Sequence, residues 1–124
     1  MGTLAIKRAY VPPDESDGTR ILVDRLWPRG LSRSEVAIDE WMKDIAPSPD
    51  LRKWFGHEPA RFAEFVDRYR RELDGNPEPV ERLCTLLRDQ DVTLVYGARD
   101  EHINQARVLA DYLADRGCVA RKGG

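Results

Sequence analysis

The sequence has no long apolar run. Nothing in it approaches the roughly 18 consecutive apolar residues of a membrane-spanning helix. The opening Met1-Gly2-Thr3-Leu4-Ala5-Ile6-Lys7-Arg8 lacks the apolar core of a signal peptide, so a cytoplasmic location is expected. Histidine and cysteine are scarce, two of each, and none are closely spaced, so no zinc site and no other cofactor is expected. Neither a P-loop nor a Gly-x-Gly-x-x-Gly turn occurs, which disfavours P-loop nucleotidases and the usual dinucleotide enzymes. An excess of either charge is also missing. Twenty basic residues face 22 acidic ones, for a net charge of -2. A general nucleic-acid binder draws its affinity from neutralised phosphates and is disfavoured by that balance, although a local basic patch is compatible with it.

The two cysteines are read separately. Cys84 lies on the apolar side of a predicted helix with Val80, Leu83 and Leu87, which predicts a buried, unpaired thiol. Cys118 follows Gly117 near the end of the sequence and has no clear place. A disulfide is not expected in a reducing compartment.

The residues that are present suit one globular domain over 1–124. Hydrophobic residues make up 41% of the chain, enough for a core at this length, and charged residues 34%, above the roughly 25% average. Leu4, Ile6 and Tyr10 follow a strand period. A polar, proline-bearing stretch ending in Asp17-Gly18 reads as a loop. Ile21-Leu22-Val23 and Val92-Thr93-Leu94-Val95-Tyr96 are short apolar runs rich in β-branched residues, as in strands covered on both faces of a parallel sheet. Ser32 and Glu35 have the capping-box spacing. Ser48-Pro49-Asp50 is a helix start, and with no Gly-x-Ser-x-Gly around it Ser48 reads as a cap and not a nucleophile. Helices are then predicted through Leu51, Trp54 and Phe55; from Pro59 through Phe62, Phe65, Val66, Tyr69 and Leu73; through Val80, Leu83 and Leu87; and through Ile103, Ala106, Leu109 and Leu113. Segment 37–46 reads either as a helix with Ile38, Trp41 and Ile45 on one side or as extended chain. The order predicts an α/β domain, a small two-layer or three-layer Rossmann-like unit with a mainly parallel sheet and four to five helices.

In such sheets ligands sit beyond the carboxyl ends of the strands. After the first apolar strand come Asp24, Arg25, Trp27 and Arg29: one carboxylate, two guanidinium groups for planar anions, and an indole face. After the second come Arg99, Asp100, Glu101 and His102, just ahead of a helix. Lys43, Arg52 and His57 are further candidates for the same mouth. Each group also has a plain structural reading: an Asp24–Arg salt bridge, Trp27 as a core plug, acidic residues capping a helix, and His57 bonded to a loop carbonyl.

The run Asp17-Gly18-Thr19-Arg20-Ile21-Leu22-Val23-Asp24-Arg25-Leu26-Trp27-Pro28-Arg29-Gly30-Leu31 closely resembles the signature of the YeaO-like branch of domain-of-unknown-function family 488. Trp41, Lys43, Ala46-Pro47-Ser48, Leu51-Arg52, Trp54-Phe55, His57 with Pro59, Phe65, Tyr69, Glu72-Leu73 and the segment from Tyr96 to Leu109 extend the match over nearly the whole chain. The resemblance implies a compact bacterial or archaeal α/β protein and brings no reaction with it. Some relatives in the wider family carry a Cys-His-Arg element near the last helix. This chain has Arg99-Asp100-Glu101-His102-Ile103-Asn104 there, without a cysteine, and Ile103 separates His102 from Asn104 where YeaO-like proteins run His directly into Asn.

The functional expectation is a basic cleft for a small anionic or nucleotide-like ligand. Arg25, Arg29, Lys43, Arg52, His57 and Arg99 would bind it, Trp27 would stack on it, and Asp24 with His102 would supply polar or acid–base groups for a metal-independent hydrolase or transferase step. The alternatives are a nucleic-acid-binding module using the same arginines and a non-catalytic protein-interaction domain with Trp27, Trp41 and Trp54 exposed.

Overall fold

Strand β4 (Val92–Tyr96) is apolar on both sides because it lies inside the sheet, with all five residues buried. The structure, a computed structural model, describes residues 2–119. β4 is flanked by β1 (Leu4–Arg8) and β2 (Thr19–Leu22), and the two-residue β3 (Glu40–Trp41) pairs with β2. The sheet is four-stranded, in the order β1-β4-β2-β3, and every pairing is parallel. Leu22 stands opposite Val95, and just beyond it the Val23 N–H donates to the Val95 carbonyl at 3.0 Å. Val23 and Val95 are fully buried. The two apolar runs are thus neighbouring parallel strands at the sheet centre, as their composition predicts.

Most of the core lies on one face. There α2 (Pro49–Phe55), α3 (Phe62–Asp74), α4 (Pro77–Asp89) and α5 (Gln105–Asp115) pack Phe65, Tyr69, Leu83 and Leu109 against Ile21, Val23 and Leu94. The other face has a smaller cluster of Ala9, Leu22, Val36 and Val95, covered by Trp27, Leu31, Ile38 and Trp41 and by the four-residue α1 (Arg33–Val36). The domain is a small, Rossmann-like α/β unit with five α-helices among the described residues. Ser32 and Ser48 cap α1 and α2 as their spacing predicts, accepting from the Glu35 and Leu51 N–H groups.

Segment 37–46 takes the extended alternative. Ala37 adopts a left-handed φ of 50° that ends α1, β3 follows, and a 3-10 turn spans Lys43–Ile45. A buried ion pair fixes the entrance to β2: Arg20 meets Asp17 at 2.6 Å, Lys7 meets the same carboxylate at 2.9 Å, and Arg20 also donates to the Val36 carbonyl. The first part of the Asp17–Leu31 run is therefore an internal fastening of the sheet.

One expectation is corrected. Cys84 is buried, but it is not a free thiol: it forms a disulfide with Cys118, across a sequence separation of 34 residues. Helical periodicity gives the side of α4 on which Cys84 lies. It says nothing of the turn after α5, where the Cys118 N–H donates to the Leu113 carbonyl and the chain folds back so that the two Cα atoms are 5.0 Å apart.

Closing a loop of 34 residues stabilises the native state by about 3–4 kcal/mol in the chain-entropy account. The oxidised native protein is expected to show no thiol to a chromogenic disulfide reagent, and reduction or Cys84→Ser to lower the denaturation midpoint accordingly. Two titratable thiols in the untreated protein would contradict the pairing.

Candidate functional site

Asp24 is the first residue past Val23 at the carboxyl end of the β2 run, so its side chain emerges where the central strands end. Its carboxylate accepts the Gly97 N–H at 2.8 Å, from the end of β4, and the side-chain amide of Gln105 at the start of α5. Its carbonyl accepts the Trp41 indole N–H at 2.7 Å. Gly97 suits this close approach: a Cβ at that position would lie 3.0 Å from the Asp24 carboxylate oxygen, which would have to give way by a few tenths of an ångström. Burial pushes the Asp24 carboxyl up to about 6, against the opposing pull of the Gly97 hydrogen bond, the Arg52 charge and the Gln105 amide.

Above Asp24 opens a cavity of about 560 Å³. Its polar lining is lopsided: Arg25, Arg29, Arg52 and Lys53 supply four cations, against the single carboxylate of Asp24. His57 joins them at the rim. The left-handed turn of Gly56 (φ 54°) and His57 (φ 58°) that ends α2 carries it there. The apolar lining includes Pro28, Pro47, Phe55 and Phe65. Arg25 also borders two further hollows, one beside Tyr69 and Glu72 and one beside Trp41 and Arg82. Its Nε is buried without a hydrogen-bond partner.

Of the residues singled out from the sequence, Asp24, Arg25, Trp27, Arg29, Arg52 and His57 line this cavity. Trp27 does so with little surface to spare: its indole N–H donates to the Leu31 carbonyl at 2.7 Å, its ring meets Trp41 edge-on at 5.3 Å, and Arg33 lies 5.6 Å over it. Lys43 sits elsewhere, 4.0 Å above the Trp41 ring and beside the Arg82 hollow. Arg99 and His102 are exposed and are not part of the lining. The loop holding them is shaped by Asp100, whose carboxylate accepts the His102 and Ile103 N–H groups, while Asn104 caps α5. The end of β4 reaches the cavity through Gly97 and Ala98 instead, and the start of α5 through Gln105. Tyr10, Lys53 and Gln105 were not singled out from the sequence. Lys53 follows Arg52 directly, and Gln105 opens the helix after the second strand end, so both carried a positional signal. Tyr10 carried none beyond its strand period.

Comparison with known proteins places the chain among relatives. The family described as the inactive DUF488-N3 subclade matches residues 3–122. A protein of Escherichia coli (strain K12) named Uncharacterized protein YeaO is 47% identical over 107 residues, 86% of this chain and 93% of that protein. Uncharacterized protein Rv3073c of Mycobacterium tuberculosis (strain ATCC 25618 / H37Rv) is 40% identical over 111 residues, 90% of this chain and 93% of that protein. No solved structure matches the chain.

The Asp24 environment has a measurable pH signature. A carboxyl raised from 3.8 to about 6 holds its proton more tightly in the folded state, so its contribution to stability falls as pH rises through that window. Asp24→Asn mimics the protonated group. It is expected to melt above the parent at pH 7.5, by on the order of 2 kcal/mol, and level with it near pH 4. Melting curves of both proteins from pH 4 to 8 check this. A variant that is less stable at every pH would mean that the ionised carboxylate is itself a structural fastening.

Proposed function

The chain belongs to the DUF488 family, as a YeaO-like member of the inactive DUF488-N3 subclade, and we propose that its cleft binds a small anionic or nucleotide-like ligand without turning it over. The observation that carries this reading is the gathering of four cations, Arg25, Arg29, Arg52 and Lys53, around one cavity that holds a single carboxylate. Among the described residues Arg20, Arg68, Arg70, Arg71, Arg82 and Arg116 are each held by a carboxylate. None of those salt bridges involves Arg25, Arg29, Arg52 or Lys53, the four cations gathered around one cavity. The position at the carboxyl ends of β2 and β4 supports the same reading, because parallel sheets leave their ligand crevice there.

Binding is favoured over catalysis on two grounds. The subclade is described as inactive. No hydrogen bond joins Asp24 to His102 among the described residues: Asp24 is held by Gly97 and Gln105, and the backbone of His102 by Asp100.

Inorganic phosphate or a mononucleotide is expected to raise the melting temperature of the parent, a stabilisation of about 2.7 kcal/mol at one hundred times its dissociation constant. Arg25→Gln and Arg52→Gln are expected to weaken binding about tenfold to a hundredfold, as loss of a charge-assisted hydrogen bond does, while remaining folded. No shift with any such anion would overturn the reading. Binding only to a polynucleotide, steeply weakened by salt, would move the function to a nucleic-acid interface.

A further inference from the structure

The cavity is not uniformly basic, and its apolar lip suggests what the anion is attached to. Three large hydrophobic residues are exposed among the described residues: Leu26 at 63%, Tyr10 at 42% and Val11 at 39%. Single exposed apolar side chains need no explanation, but Leu26 and Tyr10 both border the same cavity. Leu26 stands between Arg25 and Trp27, whose side chains are both part-buried, and alone of the three is turned out. Tyr10 is held in place. Its hydroxyl donates to the Arg29 carbonyl at 2.9 Å, which ties the end of β1 to the loop after β2, and the Arg8 guanidinium lies 5.1 Å over its ring. Arg8 is itself anchored by donating to the Ala98 carbonyl at 2.9 Å. A tethered ring and an exposed leucine therefore border the same cleft as the four cations.

Asp24 adds a second constraint. This carboxylate repels a phosphate placed against it, so the phosphate's place is with the cations and a different part of the ligand faces Asp24. A carboxylate has roughly four acceptor positions, and Gly97 and Gln105 account for two of the bonds Asp24 accepts. A ligand with hydroxyl or ring N–H donors on one part and a negative charge on another satisfies both ends of the site. We infer that the ligand is a nucleoside monophosphate, with its base against Tyr10 and Leu26, its donors toward Asp24 and its phosphate among Arg25, Arg29 and Arg52. This rests on the anion-binding reading above and makes Tyr10 and Leu26 the residues that distinguish a nucleotide from a bare anion. The cavity of about 560 Å³ is within the range of small-molecule pockets and suits one such ligand.

Calorimetric titration of the full chain with adenosine and uridine monophosphates, ribose 5-phosphate and inorganic phosphate tests it. At least one nucleotide is expected to bind about tenfold or more tightly than ribose 5-phosphate, the scale of one base stacked on an aromatic ring. Leu26→Ser should reduce that advantage and leave ribose 5-phosphate binding unchanged, and Tyr10→Ala, which also releases the Arg29 carbonyl, should abolish it. Tyr10→Phe, which keeps the ring, should retain most of it. Equal affinity for nucleotides, ribose 5-phosphate and phosphate would overturn the inference and leave the anion site standing. Binding of none of them would overturn both.

Discussion

The carboxylate of Asp24 joins β2, the end of β4 and the start of α5. It follows β2, takes the N–H of Gly97 after β4, and takes the amide of Gln105 at the first turn of α5, while its own carbonyl holds the indole of Trp41 from the edge strand. The carboxyl ends of β2, β4 and β3 are thereby held together around one residue, the first two through its carboxylate and the third through its carbonyl. The cavity is the space left above that junction, and its shape depends on the junction being kept. Glycine at 97 is part of the same constraint, since a side chain there would crowd the carboxylate.

The cations that fasten the structure are paired: Arg20 with Asp17 inside the sheet entrance, Arg82 with Glu40 beside the edge strand, Arg116 with Glu81 between α5 and α4. The cations at the cleft are not in any of the salt bridges. A chain with a formal charge of -2 thus carries a cavity lined by four cations and one carboxylate. Net charge averages over the surface, whereas a ligand meets the local field of a low-dielectric cleft.

The fold was largely legible in the sequence because both relevant signals are local. Val92–Tyr96 and Ile21-Leu22-Val23 are too short and too β-branched for helices, and their continuous apolarity needs cover on both faces. Ser32 and Ser48 mark helix starts through hydrogen bonds spanning three residues. The site was legible only in part. The strand-end rule led to Asp24, Arg25, Arg29 and Gly97, but the same rule also pointed to Arg99 and His102, which the Asp100 turn leaves outside the cavity lining. Trp27 was visible as an aromatic beside arginines. Its spent N–H and its packing on Trp41 were not, since its partners lie 4 positions away in the following loop and 14 positions away in β3, with no regular period joining them.

The alternation of strands and helices, the central pair of strands, the caps and the region where a ligand would be sought are written in the residues themselves. Each of these follows from interactions within a few residues or from a repeating apolar period. It takes the folded chain to show that Cys84 meets Cys118, that Gln105 and Gly97 hold Asp24 across 81 and 73 positions, and that Tyr10 reaches the lip beside Arg29. Those pairings depend on how far the chain travels between the partners and on the angle at which each element returns to the sheet, and no local periodicity records either.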